Sequence, residues 1–409
     1  MSQKSFCLLS ILILFSSCLF ASRIDSLRSA ERLSSAPSVR FEINLQLTEF
    51  FLETDQDSFH KYLAISEQYL KQDQSDQRWA KYLGIKGKTL MNQGLLDSAV
   101  SVLTKAEAFA DSSGDTVLNA KTQYLLSFTK IRFGPTEIVK KHLQKGISLL
   151  GPEKTDNSAE IHLSRMQLFG GLGLYYQRSG NFPLALQNYF KAERIGSTYQ
   201  LPRDRTLASV PNNLALIYLD QENHELAMEY FQKALNVANE KALSPGLIRL
   251  IAGNVGIVHN QMGDFEKANP YLEEALRSYQ KAQHTTGQML ILLEFARQYQ
   301  AKNNYSKSDS FLSMVEPLIA NTSPTKYYLE SVVLMGQNDL AQNKIKLATQ
   351  HADKAYTLAH QLGDLRSLVL ATELKKDLSY RKKEYRQSYQ YQEEYLLYSD
   401  SLINERNVR

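Results

Sequence analysis

Past residue 18 the sequence contains no cysteine, and its two cysteines, Cys7 and Cys18, both lie in an apolar leader. A disulfide within the remainder of the chain is thereby excluded, and so are a thiol nucleophile and a thiolate metal site. Proline and glycine are sparse, 10 and 19 in 409 residues, while 43% of the chain is hydrophobic and 22% charged. That balance excludes a disordered or low-complexity chain and suits a folded helical one. Charge of one sign is lacking too: 47 basic against 43 acidic residues leave a formal +4. Such a balance calls for neither nucleic acid nor an anionic membrane surface as a partner. After the leader, no apolar run reaches the eighteen or so residues that a membrane span requires.

Catalytic and ligand-binding patterns are equally scarce. The eight histidines, His60, His142, His162, His224, His259, His284, His351 and His360, contain no HExxH or other tight ligand spacing. His351 and His360 share one helix without a carboxylate cluster or cysteine to complete a site. Gly170, Gly171 and Gly173 in FGGLGLYY imitate a phosphate loop, but they fall within a helical pattern, where small residues serve packing. The basic run RKKEYR at 381–386 falls at a solvated turn. No enzyme, metal, cofactor or nucleic-acid partner is expected.

The leader itself is informative. Lys4 precedes the apolar run Phe6 to Phe15, and small residues follow it. Its length of about ten residues matches an export signal, whereas a spanning helix needs roughly twenty. Two processing routes stay open. FSSC, ending at Cys18, resembles a bacterial lipobox whose cysteine is acylated, although Phe15 stands where Leu is usual; cleavage after Ala21 is the rival. The expected layout is a signal peptide at 1–21, or one ending before Cys18, a linker or N-terminal helix at 22–39, the main body at 40–398 and a helical tail at 399–409. Export to the periplasm, or anchoring as an envelope lipoprotein, follows.

The main body is periodic. A small residue, an apolar one four later and a small one seven later recur as Ala99/Leu103/Ala106, Ala185/Tyr189/Ala192, Ala227/Phe231/Ala234, Ala268/Leu272/Ala275 and Ala348/Ala352/Ala355. Weaker copies begin at Phe59, Val139, Ser308 and Ser388, so successive spacings are 40, 40, 46, 42, 41, 40, 40 and 40 residues. Offsets of four and seven place all three on one helical stripe, and small side chains there admit a neighbouring helix. Five residues before six of these starts stand Gly94, Gly134, Gly180, Gly263, Asn303 and Asn343, residue types that tolerate the left-handed backbone ending a helix. Each period therefore predicts helix A, a tight turn, helix B and a short loop. The segment LLGPEKTDNSAEIHLSR lengthens one period by a loop or a helix offset. Pro183 and Pro211 are placed at helix starts, Pro270 inside a helix B, and His259 at a packed core position.

Segments such as LGLYYQRSGNFPLALQNYFKA (172–192) and NNLALIYLDQENHELAMEYFQKAL (212–235) resemble the tetratricopeptide repeat, in its variety with a period near 40. The resemblance covers about residues 40–398 and implies an all-α fold, a right-handed superhelix of about nine hairpins. It also implies a non-catalytic protein- or peptide-binding scaffold in the cell envelope. The ending YLLYSDSLINERNVR is similar to the close of the repeat array in envelope regulators of Bacteroidetes-type bacteria, which implies the alternative: a ligand- or peptide-sensing input component without its own output domain. In the repeat frame Lys81, Lys88, Lys121, Arg132, Arg178, Asn213 and Asn254 point into the concave groove, with Glu330, Glu373 and Asp377 towards the C-terminus. The groove is thus expected to run from basic to acidic and to take an acidic segment in its N-terminal half. Asn213 and Asn254 hold the same helix A place, which in peptide-binding repeats implies amide contacts to an extended backbone.

Overall fold

The computed structural model describes residues 24–51, 55–71, 75–154, 158–319 and 325–408. The leader, Cys18 and Ala21 lie outside the described residues. A helix over 24–33 (α1) opens the described chain. Nine helical hairpins follow among the described residues: α2 (Pro37–Phe51) with α3 (Gln56–Leu70), α4 (Asp76–Asn92) with α5 (Leu96–Ser113), α6 (Thr116–Lys130) with α7 (Glu137–Leu149), α8 (Ala159–Arg178) with α9 (Phe182–Thr198), α10 (Thr206–Asp220) with α11 (His224–Glu240), α12 (Pro245–Gln261) with α13 (Phe265–Lys281), α14 (Thr285–Ala301) with α15 (Tyr305–Leu312), α16 (Lys326–Ala341) with α17 (Ile345–Leu362), and α18 (Leu365–Arg381) with α19 (Tyr385–Val408). Short 3-10 turns extend α6 at Ile131–Phe133 and follow α15 at Glu316–Ile319. No strand occurs among the described residues, and none of their helices is long and apolar enough to cross a membrane.

The turns explain why the chain reverses where it does. Gly94, Gly134, Gly180, Gly263, Asn303 and Asn343 all have positive φ, and so do Glu222 and Lys383 at the matching places of their hairpins. A left-handed residue frees the chain from helix A, and the next residue often caps helix B. The side chains of Asn181, Asn223 and Asn304 accept from the amides of Leu184, Leu226 and Lys307, each at 3.1 Å. Each cap of this kind contributes on the order of 1 kcal/mol.

The small–apolar–small stripe forms the seam between helices. Ala99, Leu103, Ala106, Ala185, Tyr189, Ala192, Ala227, Phe231 and Ala234 are all 0% exposed. Small residues on helix A meet this stripe from the other side. A Cβ at Gly173 would stand 2.4 Å from the Tyr189 ring, one at Gly87 2.5 Å from Leu103, and one at Gly171 2.5 Å from Leu143. Gly171 and Gly173 of FGGLGLYY are therefore packing glycines inside α8.

Two sequence readings need correcting. Pro211 is inside α10, which begins at Thr206, so it lies beyond the first turn of that helix. The Asp204 carboxylate accepts from the amide of Thr206 at 2.8 Å and sets this earlier start. His259 is half-buried, its ring beside Tyr271 and 3.6 Å from Asp264. It stands in the last turn of α12 with its Nδ1 buried, so it lies against the core without being enclosed by it. Pro270 is interior to α13, as its spacing predicts.

The chain falls into two compact units, one up to Gly171 and one from Leu172. The 46-residue period is a longer loop between α7 and α8, held by the buried Arg165. Its guanidinium donates to the carbonyls of Gly151 at 2.9 Å, and of Leu150 and Pro152 at 3.2 Å. In the first unit Phe41, Leu47, Phe59, Tyr82 and Ala106 share one core with Trp79 and Phe109 against it. In the second, successive cores run from Ala208 and Phe231 through Ala268 and Leu272 to Leu374 and Leu378.

Candidate partner-binding face

In the unit from Leu172 a chain of hydrogen bonds along the A helices α8, α10 and α12, joined through Tyr189 of α9, crosses three hairpins. The Tyr189 hydroxyl donates to Gln177 Oε1 at 2.7 Å and accepts from Asn213 Nδ2 at 3.1 Å. Asn213 Oδ1 accepts from Asn212 Nδ2 at 3.3 Å, and Asn212 Oδ1 accepts from Asn254 Nδ2 at 2.9 Å. Asn213 and Asn254 are half-buried, whereas the Tyr189 ring is fully buried. Burial pushes the Tyr189 phenol well above its usual range, so it stays a neutral donor and acceptor. Sequence reasoning placed Asn213 and Asn254 together and the structure joins them through Asn212. It did not foresee Tyr189, whose ring belongs to the packing seam while its hydroxyl reaches the ladder.

Glu294 occupies the next matching place, forty residues after Asn254. It is 2% exposed and accepts from Asn260 Nδ2 at 3.0 Å. Arg297 lies between two acids, 2.6 Å from Glu294 and 2.5 Å from Glu330. Glu330 is thus half of a bracketed arginine. Glu373 is half-buried on α18, and the exposed Asp377 is 3.4 Å from Lys376. Glu294 and Arg297 escaped the sequence reading, although the spacing from Asn213 and Asn254 points to position 294.

In the unit up to Gly171 the basic positions meet acids on neighbouring A helices. Lys81 pairs with Glu42 at 2.8 Å and Lys121 with Glu160. Lys88 is half-buried on α4 and Arg132 is exposed on the 3-10 turn that ends α6, and neither belongs to an ion pair among the described residues. Arg178, in the other unit, is exposed at the end of α8, close enough to lower the Tyr189 pKa slightly against the effect of burial.

A second polar cluster lies between α5, α6 and α7. His142 Nδ1 is 2.6 Å from Gln123 Oε1 and its Nε2 is 3.0 Å from Lys130 Nζ. Gln123 donates to Glu107 at 2.8 Å, and Lys145 reaches Glu107 at 2.9 Å and Asp111 at 3.4 Å. Burial, with Lys130 beside it, holds the His142 pKa below the usual histidine value. The ammonium of Lys130 can only donate, so Nε2 accepts and Nδ1–H donates to Gln123. Among the described residues no group of three or more His, Cys, Asp or Glu is arranged to hold a metal ion.

Residues 206–281 match the family model described as Tetratricopeptide repeat. Photosystem I assembly protein Ycf3 of Prochlorococcus marinus (strain MIT 9215) is 29% identical over 110 residues, covering 27% of this chain and 57% of that protein. The chain therefore spans little more than half the length of this relative. Among solved structures, a Rap protein complexed with competence and sporulation factor has a TM-score of 0.60 at 14% identity, covering 90% of this chain and 99% of that one. The apo form of RapI has a TM-score of 0.56 at 14% identity, covering 89% and 98%. NprR in complex with its cognate peptide NprX has a TM-score of 0.51 at 12% identity, covering 80% and 95%. At these identities the likeness is one of fold. The repeating hairpins, their positive-φ turns and their small-residue seams give the chain a tetratricopeptide-repeat-like solenoid fold, and residues 206–281 match the repeat itself.

Proposed function

We propose that this protein is a non-catalytic adaptor that holds an extended segment of a partner protein or peptide on its helix A faces. The observation that carries this reading is the ladder from Gln177 through Tyr189, Asn213 and Asn212 to Asn254. Its amides are fixed by one another at a repeat spacing of about one hairpin, and each Asn keeps further donor or acceptor capacity. An extended backbone presents N–H and C=O groups along its length and is complementary to such a row. Fixing the amides beforehand reduces the ordering cost of binding.

The test is capture from envelope extract with the full chain as bait, beside the Asn213→Ala/Asn254→Ala variant. Loss of two amide contacts should weaken capture of the enriched partner at least about tenfold, the effect of roughly 1.4 kcal/mol. Equal capture by the variant, at unchanged helicity, would remove the ladder from the site.

A sensing role is the second reading. It is favoured by fold likeness to a Rap protein complexed with competence and sporulation factor and to NprR in complex with its peptide NprX. In that role the held segment is a signalling peptide. Export through the leader at 1–21, with Cys18 acylated as the anchor, belongs to the same proposal. Labelling with a clickable fatty acid should mark the wild type and not Cys18→Ala; an unlabelled wild type cut after Ala21 replaces the anchor with simple secretion.

A further inference from the structure

The unit from Leu172 contains one ion pair unlike the others among the described residues. Arg366 Nη1 lies 2.9 Å from Asp220 Oδ1, although 146 residues separate them. The remaining described ion pairs join residues of one hairpin or of adjacent ones, such as Lys233 with Glu193 or Arg297 with Glu330. Asp220 closes α10 and Arg366 is the second residue of α18, four hairpins further on. The backbones of α9 and α19 also meet. Repeats four to five hairpins apart within this unit therefore touch.

The placement of the two charges argues that the contact is what they serve. Asp220 is an anion at the C-terminal end of its helix, and Arg366 a cation in the first turn of its own. Each is on the unfavourable side of its own helix dipole. Paired with one another, each meets the charge that its own helix end attracts. Both also continue helix A stripes: Asp220 lies two turns after Asn213, and Arg366 two turns before Glu373. The pair therefore bridges the margin of the face on which the amide ladder lies.

We infer that Asp220 and Arg366 form a clasp that holds this unit closed over its helix A face and is opened by competing charge. Their side chains are 26% and 57% exposed, so salt and charged groups of an incoming segment reach them readily. The clasp rests on the segment-holding reading only for what it admits, and its test requires no partner.

The test is a distance between spin labels at Gln221→Cys and Gln361→Cys, both exposed, in the full chain with Cys7 and Cys18 replaced by serine. Low salt should give one narrow distance distribution. Arg366→Asp, which sets two carboxylates against each other, should shift and broaden it to longer distance, and about 1 M salt, where the Debye length is about 3 Å, should do the same to the parent. The exchanged pair Asp220→Arg/Arg366→Asp should restore the narrow distribution. Circular dichroism on each variant secures that the helices are intact. An unchanged distribution in Arg366→Asp, or no recovery in the exchanged pair, overturns the clasp. Neither result touches the ladder, which capture tests separately.

Discussion

At the residue scale, the side chain most exposed to its chemical setting is His142. Its Nε2 accepts from Lys130 and its Nδ1–H donates to Gln123, an arrangement available only to the neutral ring. Protonation would set a second cation against Lys130 within the reach of Lys145, with Glu107 in partial compensation. The folded pKa lies below the unfolded value near 6.5, so between the two the unfolded chain binds more protons and stability rises with pH. Stability from this group is thus fully present above the unfolded pKa and is lost as pH falls through 6.5 towards the folded value. His142→Gln can both donate to Gln123 and accept from Lys130 without titrating. Melting temperatures at pH 7.5, 6.5 and 5.5 should fall more steeply for wild type than for this variant. A difference between the two that stays constant with pH would count against the neutral ring. Spacing could not reveal this cluster: His142 follows Gln123 by nineteen residues, and only the packing of α7 on α6 makes them neighbours.

At the element scale, most of the fold was legible because each hairpin repeats the same decisions. The turn glycines and asparagines, the small residues of helix B and the packing glycines of helix A are all local signals. Glu222 and Lys383 were not legible as turn residues, since neither type prefers a left-handed backbone; the repeat imposes φ of 60° and 63° on them. Pro211 stands five residues inside α10 and not at its start, because the helix begins at Thr206, whose amide donates to Asp204. The seam between α8 and α9 is the sharpest test of this level. A Cβ at Gly173 would lie 2.4 Å from the Tyr189 ring, and Tyr189 has no room to retreat at 0% exposure. Gly173→Val should therefore cost roughly 1–3 kcal/mol, and it should also disturb the Tyr189 hydroxyl that holds Asn213. Gly246, in the first turn of α12, has nothing within 4 Å of a built Cβ. Gly246→Ala should be neutral or stabilise by up to about 1 kcal/mol. Chemical denaturation of both variants ranks them; equal stability would show that the seam tolerates a side chain at Gly173.

At the scale of the whole molecule, the period locates helix A faces but not the pairs that curvature brings together. The bracketed Arg297 and the Asp220–Arg366 pair depend on how hairpins stack, so neither could be read from forty-residue spacing. The expected basic-to-acidic gradient is modified in the same way. Lys81 and Lys121 meet Glu42 and Glu160 on neighbouring A helices, which leaves Lys88 and Arg132 as the expected groove cations of the first unit without an ion pair among the described residues. If an acidic partner segment is held there, these two carry the electrostatic part of its attraction. Capture of such a segment should weaken as salt rises from 0.05 M to 0.5 M on the laboratory scale, roughly 14 to 4 Å in Debye length. Lys88→Glu/Arg132→Glu should weaken capture at low salt and flatten its salt dependence. Neither side chain is fully buried, and a surface substitution usually costs within about 0.5 kcal/mol, so helicity and melting temperature should stay close to those of wild type. Undiminished capture by the double variant, with the salt dependence intact, would move the site away from the first unit and onto the amide ladder of the second.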